Sequence, residues 1–319
     1  MRLYIIISII IISICFISCE EQIHKQYDSS LIDHEKLDIT FGKEVSNVLL
    51  DHLYVVVDSA TYSHLTKDSH WKSTYAALDT GLPDFTPVVK NSSTCYLRGH
   101  QHSIEILGPD NVYNEPVGKS GIGFSLKNKD EHFHLGVEPK LRESKDSLLY
   151  ATETIKMPLD GQEHTWFKAF YTPSRGTALH TWYAFYNPDF LEELSEEEHI
   201  EYSREAFLAS SYADDKLFQG IKTLLLTCTP NDFKRIAQEL GYLQCRLIAQ
   251  DGDRYTIKSG DINIVIEPSN EIKYSRITQI ICHLNNADDS VSHLGNLTIT
   301  NKGKISTWDF NQLHIRNTH

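Results

Sequence analysis

Two residues could do chemistry because each interrupts an apolar, strand-like run: His52 within residues 48–57 (VLLDHLYVVV) and Glu105 within residues 102–107 (HSIEIL). An imidazole and a carboxylate on neighbouring strands could ligate a divalent cation, exchange a proton or fix the polar end of a small molecule. A carboxylate buried without a partner costs several kcal/mol, so Glu105 requires a cation, His52, Arg98 or solvent beside it. A pocket containing His52 and Glu105 is the simplest arrangement, with Arg98 a further ligand-binding candidate. Strand alternation supports it, since Ser103, Glu105 and Leu107 share one face. A lone histidine in an apolar strand also reads as a hydrogen-bonded structural residue, and both readings stay open.

Other clusters carry less. Glu131-His132-Phe133-His134 places two histidines at i and i+2 and reads best as a surface loop. The aromatic stretches 166–171 (WFKAFY) and 182–186 (WYAFY) fit the packing of two paired strands, with a stacking platform for glycan or lipid as the alternative. Cys95, Cys228, Cys245 and Cys282 lie mostly in apolar runs, which favours buried thiols; disulfides stay open. The chain has no Gly-rich phosphate loop, no Gly-x-Ser-x-Gly and no His-Glu-x-x-His.

Residues 5–17 are nearly all isoleucine, too short a run for a bilayer span of about 20 apolar residues. They end in Phe16-Ile17-Ser18-Cys19, which resembles the lipobox of bacterial lipoproteins. That resemblance implies cleavage before Cys19, lipidation of its thiol, and a place in the bacterial envelope at the outer membrane or cell surface. Residues 1–18 are then a signal peptide and residues 19–40 a polar tether. Removing Arg2 makes a formal charge of −13 more negative still, so acyl chains rather than basic residues would hold the membrane. The same acidity excludes general phosphate-backbone binding, and hence nucleic acid as a partner. With 319 residues and 40% hydrophobic content, about two globular domains are expected.

The elements that must position the site follow from periodicity. Residues 48–57 predict a strand, and Asp58 caps a short helix from Ser59. Strands follow at 93–99, 102–107 and 121–126, then at 165–171 and 180–186, and residues 191–218 read as a linker helix. The second half predicts a strand at 221–228, then a helix entered through Thr229-Pro230 with Phe233, Ile236, Ala237 and Leu240 on one face, ending at Gly241. Strands at 245–249, 253–258 and 262–266 come next, then a truncated unit at 280–284, 296–300 and 306–310. Residues 103–110 align without a gap against 182–189, both ending in Pro-Asp.

Repeated βαβββ units of this kind resemble the vicinal-oxygen-chelate superfamily of glyoxalase-like and dioxygenase-like proteins. Leu50 to Val57 is similar to its first strand, Ile104 to Leu107 to its fourth, and Gly121 to Phe124 to the strand opening the next module. The resemblance implies an α+β fold of two consecutive module pairs: residues 41–190 as the first pair and 219–319 as a module with a truncated partner. In metal-using members a first-strand His and a fourth-strand Glu from each module enclose a divalent ion, the cofactor the resemblance implies, and His52 and Glu105 match one such half-site. The other half is missing, with Gly121 and Ala184 in the second module and Thr223 and Ile264 in the third. The favoured reading is therefore small-molecule binding in a degenerate cup. A metal-dependent lyase or dioxygenase using His52 and Glu105 is one alternative, and a surface module for glycan or protein is the other.

Overall fold

The computed structural model describes residues 48–82, 85–126, 151–159, 161–171, 179–195, 204–209 and 211–316. Cys19, the leader, the tether and the 131–134 cluster lie outside the described residues. The fold is mixed α+β and rich in strands, built on two eight-stranded sheets. The first half of the chain runs β1 (Val48–Val56), α1 (Ser59–Lys67), a π-helical turn (Trp71–Tyr75), β2 (Ala77–Asp79), β3 (Thr94–Arg98), β4 (Ser103–Leu107), β5 (Ser120–Leu126), β6 (Ala151–Leu159), β7 (Gln162–Tyr171) and β8 (Leu179–Tyr186). Its sheet order is β2-β3-β4-β1-β5-β8-β7-β6. Within the stretch expected as a linker helix, the described residues form α2 (Pro188–Ser195) and α3 (Arg204–Ala209).

The second half runs β9 (Phe218–Cys228), α4 (Pro230–Tyr242), β10 (Arg246–Asp251), β11 (Arg254–Ser259), β12 (Ile262–Pro268), β13 (Arg276–Leu284), β14 (Val291–Leu294), β15 (Leu297–Lys302), β16 (Ile305–Asp309) and α5 (Asn311–Arg316). Its order, β10-β11-β12-β9-β13-β16-β15-β14, repeats that of the first sheet. One difference has a simple cause. β8 runs parallel to β5, whereas β16 runs antiparallel to β13. A parallel return needs a crossover of about a dozen residues or more, and only residues 285–290 separate β13 from β14.

Local chemistry explains the helix boundaries. Asp58 caps α1 by accepting from the backbone N–H groups of Ala60 and Thr61 at 2.9 and 3.0 Å, a contact worth about 1 kcal/mol. Thr229 caps α4, and Phe233, Ile236, Ala237 and Leu240 are all buried. The helix runs through Gly241 to Tyr242; the chain reverses at Gln244, in the left-handed region at φ 57°.

One apolar core joins the two sheets. It takes Leu53, Val55 and Val57 from β1 and its end, Leu224 and Leu226 from β9, and the buried face of α4. Specific contacts fix the docking: Trp308 Nε1 donates to the Tyr75 hydroxyl at 2.8 Å, and that hydroxyl lies 2.8 Å from Ser306 Oγ. Thr181 of β8 donates to Glu239 of α4 at 2.7 Å. At the β14–β15 turn Gly295 has φ +64° and packs on α1 so closely that a Cβ would stand 2.6 Å from the Thr61 nitrogen. On the opposite face of the first sheet Tyr54, Val56, Leu107, Phe167, Trp182 and Ala184 form a second apolar cluster. The matching face of the second sheet carries Thr223, which is buried, and the half-buried Thr227, Thr256, Lys258 and Asn263. All four described cysteines are buried and free, and burial pushes the Cys95 thiol up to about 12. Among the described residues no helix is long and apolar enough to cross a membrane.

His314 of α5 makes this fold pH-sensitive. It is buried with Nε2 2.8 Å from the Ile277 carbonyl, and burial lowers its pKa to about 4. The unfolded chain takes up the proton near pH 6.5, so the stabilisation is present above that value and is lost as pH falls towards 4. The full loss is roughly 3 kcal/mol. The urea midpoint should therefore fall between pH 7 and pH 4.5, and fall less in His314→Gln; equal pH slopes in the two proteins would refute the assignment.

Candidate functional site

The face of the first sheet turned away from the common core bears a cavity of about 730 Å³, within the range of small-molecule sites. Its polar floor comes from β1, β3 and β4, which bring His52, Glu105 and Arg98 to one cavity. Parallel register sets His52 opposite Ser103 and Tyr54 opposite Glu105, and antiparallel register sets Tyr96 opposite Glu105 and Arg98 opposite Ser103. Cross-strand partners share a face, so these side chains point the same way.

Asp51 also lines the cavity, although it is adjacent to His52 and simple alternation would send it to the other face. The cause is a β-bulge. Leu50 pairs with Phe124 and Leu53 with Ile122, so Asp51 and His52 together oppose the single residue Gly123. Such bulges re-aim side chains near sites. Arg204 of α3 donates to the Leu50 carbonyl at 2.5 Å, holding the backbone where the bulge begins.

Asp51 Oδ2 lies 2.6 Å from His52 Nδ1 and accepts the Tyr186 hydroxyl at 2.5 Å. His52 Nε2 points towards Glu105, 3.9 Å from Oε2. Burial pushes the imidazole pKa down, but the hydrogen bond and charge of Asp51, with the charge of Glu105, outweigh it, and the net shift is upward. The contacts around His52 thus favour its charged form more than water does. Burial also raises the Glu105 pKa, against the opposing pull of His52, a Tyr96 hydrogen bond and Arg98. Glu105 Oε1 is buried and has no hydrogen-bond partner.

Arg98 is not the partner of Glu105. Its Nε and Nη2 both donate to Asp79 at 2.7 Å, and its guanidinium lies over the Tyr96 ring, 4.4 Å from the centroid. It forms part of the wall with its charge already matched.

The missing second half-site is filled by a side chain. His52 pairs with Ser103, two residues before Glu105; two residues before Ala184 stands Trp182, which pairs with Gly123 rather than Gly121. The counterpart of His52 is therefore Gly123. A Cβ there would lie 2.4 Å from the Trp182 indole, and one at Gly121 would lie 2.7 Å from it. The indole occupies that ground and meets His52 edge-on with 5.1 Å between centroids. In the second sheet the register likewise places Val265, not Ile264, on the face of Thr223, because a one-residue slip changes faces.

No other histidine with a described side chain completes a ligand set. His102 is buried between the sheets, where Nδ1 accepts from the Ile221 N–H at 3.1 Å and Nε2 lies 3.1 Å from Asp261. His100 packs edge-on against Tyr212. Among the described residues no group of three or more His, Cys, Asp or Glu could hold a metal ion. Trp166, Phe167, Trp182 and Tyr186 of the aromatic stretches line the cavity wall, while the side chains of Phe170, Tyr171, Tyr183 and Phe185 lie outside the described ones. The sequence reading missed Asp51 and Tyr186. Asp51 stood beside His52 in plain view, but only the bulge brings it to the same face.

A family model described as a family of unknown function (DUF5829) matches residues 50–310. No curated protein matches the chain. Similar solved structures include a hypothetical protein from Staphylococcus aureus at 11% identity and TM-score 0.45, covering 72% of this chain and 88% of that one. A xylose isomerase-like TIM barrel/4-hydroxyphenylpyruvate dioxygenase fusion protein is 11% identical at TM-score 0.42, covering 75% of this chain and 37% of that one. A mutant 4-hydroxymandelate synthase from Streptomyces coelicolor is 10% identical at TM-score 0.38, covering 75% and 70% respectively. None of these likenesses assigns an activity to this chain.

The electrostatics of the pair can be measured directly. In Asp51→Asn burial acts on His52 without the carboxylate that opposes it, so the imidazole pKa should drop by at least about one unit. NMR titration of the His52 ring protons in both proteins reads this, and an unchanged midpoint would contradict the assigned contact.

Proposed function

We propose, for a chain that belongs to this family of unknown function, that the cup of the first sheet binds a small molecule without resident metal chemistry. The observation that carries the reading is the buried, unpartnered Glu105 Oε1 in an aromatic-walled cavity of about 730 Å³. A buried acceptor left unpaired costs about 1–3 kcal/mol, which a ligand donor recovers. His52, oriented by Asp51, presents its Nε2 beside it. The twin succession of strands in the two sheets supports a scaffold of glyoxalase-like βαβββ modules, the fourth lacking its helix.

The donor set does not fit a firmly held catalytic ion. His52 Nε2 and Glu105 are two donors; Asp51 sits on the other imidazole nitrogen, and Trp182 stands where the second pair would be. Catalytic zinc sites generally take three protein ligands.

We also propose that the protein is held at a bacterial envelope membrane by lipid on Cys19. Cys19→Ala should shift it from the membrane fraction to the soluble one, and unchanged fractionation would rule the anchor out.

Two measurements test the cup. Elemental analysis of the purified protein should give well under one metal equivalent; stoichiometric metal that is lost in both His52→Ala and Glu105→Ala would overturn the metal-free reading. Thermal-shift screening of small aromatic compounds should raise the wild-type midpoint. That shift should disappear in Thr94→Trp, which places an indole in the cavity from β3; shifts that persist in this variant would place binding elsewhere.

A further inference from the structure

The charges around the cup leave one anion in excess, because His52 lies beside two carboxylates, Asp51 at 2.6 Å and Glu105 at 3.9 Å. Arg98 is neutralised by Asp79 through two hydrogen bonds of 2.7 Å. Arg204 pairs with Asp261 at 3.0 Å, His52 with Asp51 at 2.6 Å, and Glu115 with Lys119 at 3.2 Å. The Glu105 side chain is 7% exposed, and its Oε1 alone has no donor. Around it the cavity wall is aromatic: Tyr54, Tyr96, Phe167, Trp182 and Tyr186, with Tyr113 at the mouth, itself 64% exposed. Aromatic faces carry partial negative charge and attract ammonium groups, most strongly where water is excluded. A buried carboxylate accepts most strongly from a charged N–H donor.

Resting on the reading of the cup as a small-molecule site, we propose that its ligands are small organic ammonium ions, primary or secondary amines with an apolar body. The ammonium group donates to Glu105 Oε1, and the apolar body lies against Trp182 and Phe167. A carboxylate ligand is disfavoured in the same place, because Asp51, Glu105 and Glu115 all line the cavity. A neutral hydroxyl would satisfy Oε1 but leave the carboxylate charge unmatched.

Three probes of equal size separate these cases: benzylammonium, benzyl alcohol and benzoate, each titrated at millimolar concentration against the full chain with tryptophan fluorescence as the readout. Trp71 and Trp308 are buried in the core and give a constant background, whereas Trp166 and Trp182 line the cavity. Benzylammonium should bind at least about tenfold more tightly than benzyl alcohol, and benzoate more weakly than either. Glu105→Gln, which keeps the shape of the side chain, should weaken benzylammonium by at least about tenfold relative to benzyl alcohol, so that the preference for the amine is lost. Equal binding of amine and alcohol, or a preference that survives Glu105→Gln, would overturn the ammonium assignment and leave the cup as a binding site. A signal unaffected by all three probes would sink both.

Discussion

The bulge at Asp51 and His52 is the constraint on which the site depends. β1 is a central strand, and its Leu53 and Val55 must face the core shared by both sheets. A regular strand would then deliver only one of two adjacent residues to the opposite face. Opposing two residues with the single Gly123 delivers both, and this lets Asp51 reach the His52 ring from beside it. The imidazole is thereby oriented by its own neighbour in sequence, with Nε2 left to the cavity. Gly123 serves the arrangement twice. It is the lone residue across from the bulge, and its missing side chain admits the Trp182 indole that walls the pocket.

Burial then gives those polar groups their properties. On an exposed surface a carboxylate 3.9 Å from an imidazole would be weakly coupled and screened. Here burial opposes ionisation of both His52 and Glu105, and the outcome is set by what each can reach. His52 has a carboxylate at hydrogen-bonding distance on one nitrogen, and its pKa rises. Glu105 has only the Tyr96 hydroxyl and more distant charges, and its pKa rises for the opposite reason, because burial wins. Arg98 does not relieve it, since Asp79 already takes two of its hydrogen bonds. The imbalance at Glu105 follows from a wall that satisfies its own charges first.

Much of this was legible from residue order. The strand at 48–57, the Asp58 cap, the Thr229-Pro230 helix start and the buried stripe Phe233, Ile236, Ala237, Leu240 all follow local rules that tertiary contacts reinforce. His52 and Glu105 were visible because polar residues interrupt apolar strands only with a reason. What local rules could not supply was register. Alternation alone would send Asp51 to the opposite face, and the strand resemblance pointed to Gly121 and Ile264 where the register selects Gly123 and Val265. One residue is the smallest possible error in a strand, yet it exchanges core for cavity. Which of the candidate groups Glu105 meets was equally illegible: Asp79, which takes Arg98, is 19 residues away from it in sequence, and only the β2–β3 pairing brings the two alongside.

The second sheet has the same strand order, and its contribution to the site is support. Its outward face is threonine-rich, while its inward face supplies a large share of the common core. The junction lies close behind the bulge. His102, at the start of β4, accepts from the Ile221 N–H of β9, and that contact places the proton on Nε2, facing Asp261. Asp261 also accepts from Arg204, and Arg204 in turn holds the Leu50 carbonyl. The pKa of Asp261 is held well below the ordinary carboxylate range: burial alone would raise it, but hydrogen bonds and charge from His102 and Arg204 overcome that. One guanidinium therefore ties the entry to the second sheet's β12 to the residue at which β1 departs from regular pairing. A strand bulged inside a sheet gives up ladder hydrogen bonds and needs its freed carbonyl satisfied. In this chain that demand is met by a side chain whose own charge is balanced from the other sheet, so the shape of the cup and the docking of the two sheets are set by the same few contacts.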